Sequence, residues 1–166
     1  MTTARILILD DQRAARRVLR QMLEGLDDAE FAEAGTVEQA LLLCREQRFD
    51  AYLVDIHLTE NRLERGGIEF IKQVRNVQAA PSVVVTASVE MQDLREAMKA
   101  GAYDYLTKPF GVNELLARMR VALRHASLAA APEGEASTTE RREASREDPA
   151  VPPEVAPTAT PAPAPS

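Results

Sequence analysis

The 166-residue chain has one cysteine, Cys44. That excludes an internal disulfide framework and any metal site built from several thiolates. No apolar run approaches the roughly 18 residues of a membrane span. Nor does the N-terminus read as a secretory signal, because Asp10 and Asp11 arrive where the apolar stretch should continue toward a cleavage site. Basic residues are not in surplus either: 20 Lys and Arg stand against 26 Asp and Glu, a net charge of −6. That balance argues against a patch tuned to nucleic-acid phosphates. The expectation is a soluble, cytoplasmic protein with neither DNA nor membrane as partner.

What is present divides unevenly. The length predicts one domain, at about 150 residues per domain. Eight of the ten prolines follow residue 130, and beyond Leu128 the only large aliphatics are Val151 and Val155. Such a stretch cannot bury enough apolar surface to offset its chain entropy. Residues 127–166 are therefore expected to be a disordered, acidic, Pro/Ala-rich tail, and residues 1–126 the folded domain. The tail reads as a solubilising extension or as a tether for a partner.

Within 1–126, short apolar runs alternate with helical stripes. Ile6–Leu9 is a continuous apolar run closed by Asp10 and Asp11, which fits a strand buried on both faces. Ala15, Val18, Leu19, Met22 and Leu23 then recur at helical spacing. Glu30–Ala34 is a weaker strand, and Thr36 can cap a helix from Val37 to about Gln47. Ala51–Val54 is an apolar strand ended by Asp55, and Ile68, Phe70, Ile71 and Val74 mark a helix after Gly66 and Gly67. Ser82–Val85 is a strand ended by Thr86. The helix of Met91, Leu94, Ala97 and Met98 stops at Gly101. Tyr103–Leu106 is a strand before Lys108 and Pro109, and Val112–Leu123 is the last helix.

This is β followed by α, five times. It predicts an α/β fold, (βα)5, with a doubly wound parallel five-stranded sheet and right-handed crossovers. Ligands of such sheets sit outside the carboxyl ends of the strands. The strand ends carry Asp10, Asp11, Asp55, Thr86 and Lys108, all polar and four of them charged. Three carboxylates in one crevice repel, and a cation resolves the repulsion. An all-oxygen set without His or Cys side chains suits Mg²⁺. A carboxylate beside Mg²⁺ can attack phosphorus and form an aspartyl phosphate, with the metal and a lysine stabilising the transferring group. Taken singly, Asp10 and Asp11 could be a helix cap and Asp55 a turn acid.

ILILDDQ at 6–12, LVDIHL at 53–58, VVVTAS at 83–88 and DYLTKPF at 104–110 together resemble the receiver domain of two-component response regulators, the family of the chemotaxis regulator. The spacings, 44 residues from Asp11 to Asp55, 31 to Thr86 and 22 to Lys108, carry the resemblance. It implies a flavodoxin-like receiver fold with Asp55 as phosphoacceptor. Asp10, Asp11, Asp55 and the backbone carbonyl of His57 would hold Mg²⁺. Lys108 would pair the phosphoryl group, with Lys108–Pro109 a cis peptide bond. Thr86 and Tyr105 would be the switch residues, Ala87 the small residue beside the phosphate, and Ser88 and His57 the positions that tune autodephosphorylation. His57 also reads as a solvated loop residue.

The segment Thr59–Arg65 departs from the family pattern, being about three or four residues too long before the helix and lacking the usual proline. It reads as a tolerated loop insertion or as a partner-specific element beside the site. Arg13, Arg16, Arg17, Leu19 and Arg20 read as part of a kinase-docking face or as a solvated helix face.

The expected function is that of a stand-alone response regulator, a phosphoprotein rather than an enzyme. It would be phosphorylated by a histidine kinase or histidine phosphotransfer protein and would signal to a downstream protein target. A helix-turn-helix pattern is not visible in the 40 residues after the receiver. The alternatives are a phosphorylation-independent adaptor of the same fold and a haloacid-dehalogenase-like phosphatase, whose paired acids would lie two apart rather than adjacent. A phosphorylation-dependent dimer through the last helix and strand stays open.

Overall fold

Three strands owe their position to continuous apolar sequence. In this computed structural model, which describes residues 2–58 and 65–129, β1 (Ala4–Leu9), β3 (Ala51–Asp55) and β4 (Ser82–Thr86) form the centre of one sheet. The edges are β2 (Ala29–Ala34) and β5 (Asp104–Thr107), whose polar residues tolerate partial exposure. The order is β2-β1-β3-β4-β5, and every neighbouring pair is parallel.

Parallel strands need crossovers, and five helices supply the packing: α1 (Arg13–Leu23), α2 (Val37–Glu46), α3 (Gly66–Val74), α4 (Met91–Ala100) and α5 (Val112–Ala129). Strand alternation sorts the core into two layers. Ile6, Ile8, Leu53, Val83 and Val85 face α1 and α5, packing on Leu19, Leu23, Leu115 and Met119. Leu7, Leu9, Tyr52, Val54 and Val84 face the other way, onto Ala40, Cys44, Phe70, Ile71 and Ala97 of α2, α3 and α4. The helix stripes follow from this arrangement, with differences on α1 and α4: Met91 and Met98 of the α4 stripe are exposed, and of that stripe only Leu94 and Ala97 turn inward. Val18 is 53% exposed. Leu19 and Leu23 set the line of α1 against the sheet, and Val18 lies to one side of it.

Local chemistry ends the elements where expected. Thr36 accepts a hydrogen bond from the Gln39 amide at 3.2 Å and caps α2. Gly101 closes α4 at φ 114°, a left-handed conformation that favours glycine. The last helix runs to Ala129, past its expected end at Leu123, because no glycine or proline interrupts its alanine-rich end before Pro132. The rest of the expected tail, from residue 130, lies outside the described residues, as does segment 59–64 of the lengthened loop.

The end of the sheet away from the acidic residues is tied by one amide. Gln78 Nε2 donates to the Cys44 and Gln47 carbonyls, at 3.0 and 2.9 Å. Its Oε1 accepts from the Phe49 amide, and its carbonyl accepts from the Tyr52 hydroxyl at 2.8 Å. Among the described residues no helix is long and apolar enough to cross a membrane.

Candidate functional site

The strand order reverses between β1 and β3, and their register carries Leu9 beside Val54. One step further, Asp10 follows β1 next to Asp55, the last residue of β3. The crevice at a switch point thus receives two acids directly from strand geometry. Asp11 joins them: carboxylate oxygens of Asp10, Asp11 and Asp55 lie within 4.8 Å of one another. Lys108, just beyond β5, places Nζ 3.6 Å from Asp55 Oδ2 and 3.8 Å from Asp10 Oδ2. The Lys108–Pro109 peptide bond is cis.

Asp10 is 1% exposed. Its Oδ1 accepts from the Gln12 amide at 2.9 Å, while its Oδ2 has no hydrogen-bond partner among the described residues. Burial raises the carboxyl of Asp10 above the ordinary range; the Gln12 amide opposes this and the Asp55 charge adds to it. Burial likewise raises Asp55, with the Lys108 charge pulling it down. Asp11 is raised by burial and by its neighbour Asp10. One ammonium at more than 3.5 Å does not balance three carboxylates. The buried, unpartnered oxygen and the all-oxygen donors fit a hard divalent cation such as Mg²⁺.

Thr86 ends β4 fully buried, and its Oγ1 accepts from the Ser88 amide at 3.0 Å. Its carbonyl accepts from the Lys108 amide at 2.8 Å, tying the β4 end to the lysine. Ala87 is exposed beside it, and Tyr105 on β5 is 38% exposed. The His57 amide donates to Asp55 Oδ1 at 3.3 Å. The imidazole of His57 is not a freely solvated group: Nε2 lies 3.2 Å from Asp93 Oδ2 and the side chain is largely covered.

Two expectations for α1 change. Leu19 is buried in the core and cannot belong to an exposed docking face. Arg16 is half-buried, donating from Nη1 to the Asp10 carbonyl at 2.7 Å and lying 3.5 Å from Glu33. It braces the first acid of the site, which leaves Arg13, Arg17 and Arg20 exposed.

Three residues near the crevice escaped the sequence reading. Asp93 on α4 is 2% exposed and contacts His57, Ser88 and Arg65. Its place on the buried side of α4, in helical step with Ala97 and Ala100, was the available signal. From the sequence Arg65 reads only as the end of the long loop. Gly67 is the third: a Cβ there would lie 2.0 Å from the Asp55 carbonyl oxygen, so only glycine lets α3 start against the end of β3.

Residues 6–120 match the family model of the response regulator receiver domain, and the chain belongs to that family. It is 43% identical over 128 residues to the KDP operon transcriptional regulatory protein KdpE of Escherichia coli, covering 77% of this chain and 55% of that protein. The chain thus spans about half the length of the curated relatives it matches. A CheY-like receiver domain protein from Methanospirillum hungatei superposes with a TM-score of 0.65 at 26% identity, over 77% of this chain and 99% of the other. A response regulator from Burkholderia pseudomallei, solved with a phosphorylated aspartic acid, a calcium ion and citrate, gives 0.62 at 26% identity, over 77% and 73%.

Proposed function

We propose that this receiver domain takes a phosphoryl group onto Asp55 from a histidine kinase or histidine phosphotransfer protein. The observation that carries the reading is the group of Asp10, Asp11 and Asp55, with Lys108 Nζ within 4 Å of two of them. The phosphorylated aspartic acid and cation of the Burkholderia neighbour support it.

In this reading Asp10, Asp11, Asp55 and the His57 carbonyl hold Mg²⁺, which when bound offsets charge on the transferring oxygens. An Asp55 oxygen bonds to phosphorus as the bond from phosphorus to the donor's imidazole nitrogen breaks. The electron pair returns to that ring, which takes up a proton. Lys108, already paired with Asp55, turns its charge to the phosphoryl oxygens. Thr86 exchanges the Ser88 amide for a hydrogen bond it donates to the phosphoryl group, and Tyr105 follows inward from its exposed position. The population shifts between two arrangements of one surface. That surface is α4–β5–α5, where Met91 and Met98 are 61% and 44% exposed, and we propose that it signals by contact with a protein target rather than with DNA, in the cytoplasm. Arg13, Arg17 and Arg20 form the charged part of the donor's docking face.

The test is a phosphate-affinity gel shift after incubation with acetyl phosphate and Mg²⁺, or with a phosphorylated donor kinase. A Mg²⁺-dependent shift that Asp55→Ala abolishes is the expected result. No shift with either donor would favour the phosphorylation-independent adaptor.

A further inference from the structure

A buried carboxylate outside the acidic crevice needs partners, because an aspartate is almost never buried unpaired. Asp93 finds them in His57 and Arg65, from the connection between β3 and α3, and in Ser88, after β4. Its Oδ2 takes His57 Nε2 at 3.2 Å and the Ser88 hydroxyl at 2.8 Å. Arg65 Nε lies 2.8 Å from Oδ1 as a counter-charge, and its Nη1 is bonded to Glu96 one turn along α4. His57 and Ser88 each lie two residues beyond a crevice residue and touch it through the backbone: the His57 amide is on Asp55 Oδ1 and the Ser88 amide on Thr86 Oγ1. The same two residues therefore meet the crevice with their amides and Asp93 with their side chains.

We propose that Asp93 is a positioning residue that lengthens the life of the Asp55 acyl phosphate, an inference that rests on the phosphoacceptor reading above. Hydrolysis forms a bond from a water oxygen to phosphorus as the bond from phosphorus to the Asp55 oxygen breaks; the carboxylate is regenerated and the water's proton passes to phosphate or solvent. A donor beside the crevice could orient that water. The imidazole N–H and the Ser88 hydroxyl are side-chain donors on the two residues whose amides touch the crevice, and one carboxylate oxygen holds both. An acceptor of full negative charge binds such donors more firmly than a neutral one. Loosening that hold frees them toward the water.

The experiment follows decay of the phosphorylated full chain after removal of acetyl phosphate. Asp93→Asn, nearly isosteric, is expected to speed decay by about three- to tenfold, the scale of one weakened charge-assisted hydrogen bond. In a His57→Ala, Ser88→Ala background the same substitution is expected to change nothing, since the groups it releases are gone. An unchanged rate, slower decay, or an equal effect in both backgrounds overturns the inference. A second measurement needs no substitution at 93. The ¹⁵N resonances of His57, assigned against His125 with a His57→Ala sample, should show Nε2 protonated in the wild type; a dominant Nδ1–H tautomer overturns it. Failure of the wild type to acquire phosphate from either donor is a different result, which removes the phosphoacceptor reading itself.

Discussion

Replacing Asp10 with asparagine removes one negative charge from a crevice that holds three against one lysine. With oxygens of Asp55 and Asp11 inside 4.8 Å, an effective dielectric of about 20 gives a repulsion of about 3 kcal/mol from each. Lys108 at 3.8 Å returns about 4 kcal/mol of attraction on the same scale. Asp11 is the more exposed acid, so its share is screened. The net, together with the cost of keeping a charge at 1% exposure, predicts that Asp10→Asn stabilises the metal-free domain by about 1–3 kcal/mol at pH 7. For a domain of this size each kcal/mol moves Tm by roughly 3–5 °C. The pH dependence has a fixed sign. A carboxyl raised in the folded state contributes stability that is full below its unfolded pKa, about 4, and is lost as pH rises through the folded value. Asp10, Asp11 and Asp55 are all raised. The advantage of Asp10→Asn should therefore be largest near neutrality and fade in acid. Differential scanning calorimetry from pH 4 to 8, with and without Mg²⁺, measures both effects. The wild type should gain Tm on adding Mg²⁺ at pH 7, and Asp10→Asn should gain far less. A destabilised variant, or one that keeps the full Mg²⁺ response, would refute the reasoning.

Two more outcomes follow from geometry near the crevice. Gly67→Ala puts a methyl group 2.0 Å from a backbone oxygen, which only a shift of α3 or of the β3 end can relieve; urea denaturation should show a loss of about 2–3 kcal/mol. Arg16→Leu keeps the aliphatic stem but removes the donor to the Asp10 carbonyl. It should cost about 1–2 kcal/mol and reduce the Mg²⁺-induced rise in Tm.

Legibility in the sequence followed burial. The central strands are apolar on both faces, so Ile6–Leu9, Ala51–Val54 and Ser82–Val85 announce themselves without context. The edge strand β2 reads weakly because Glu30 and Glu33, three apart and so on opposite faces, are both exposed at the rim of the sheet and interrupt the apolar pattern on each side. The acidic crevice was visible because strand ends are fixed by the same pattern that defines the strands. Asp93 and Arg65 were not, because an acid in the first turn of a helix and an arginine after a loop look solvated until tertiary packing covers them. Arg16 failed for the same reason: a helix of four arginines reads as a charged face, and only the fold shows which one turns under to meet Asp10.

The two poles of the sheet differ in electrostatic character. At the pole tied by Gln78, amides and carbonyls complement one another locally, and any rearrangement there breaks satisfied bonds. At the opposite pole the local choices conflict: the strands that bury well are the ones that push three like charges together. Such frustration is confined to one end of a scaffold that is otherwise self-consistent. In the proposed switch, a small change of charge at that end would redistribute populations, with the described remainder of the sheet and helices as the frame against which the change is felt.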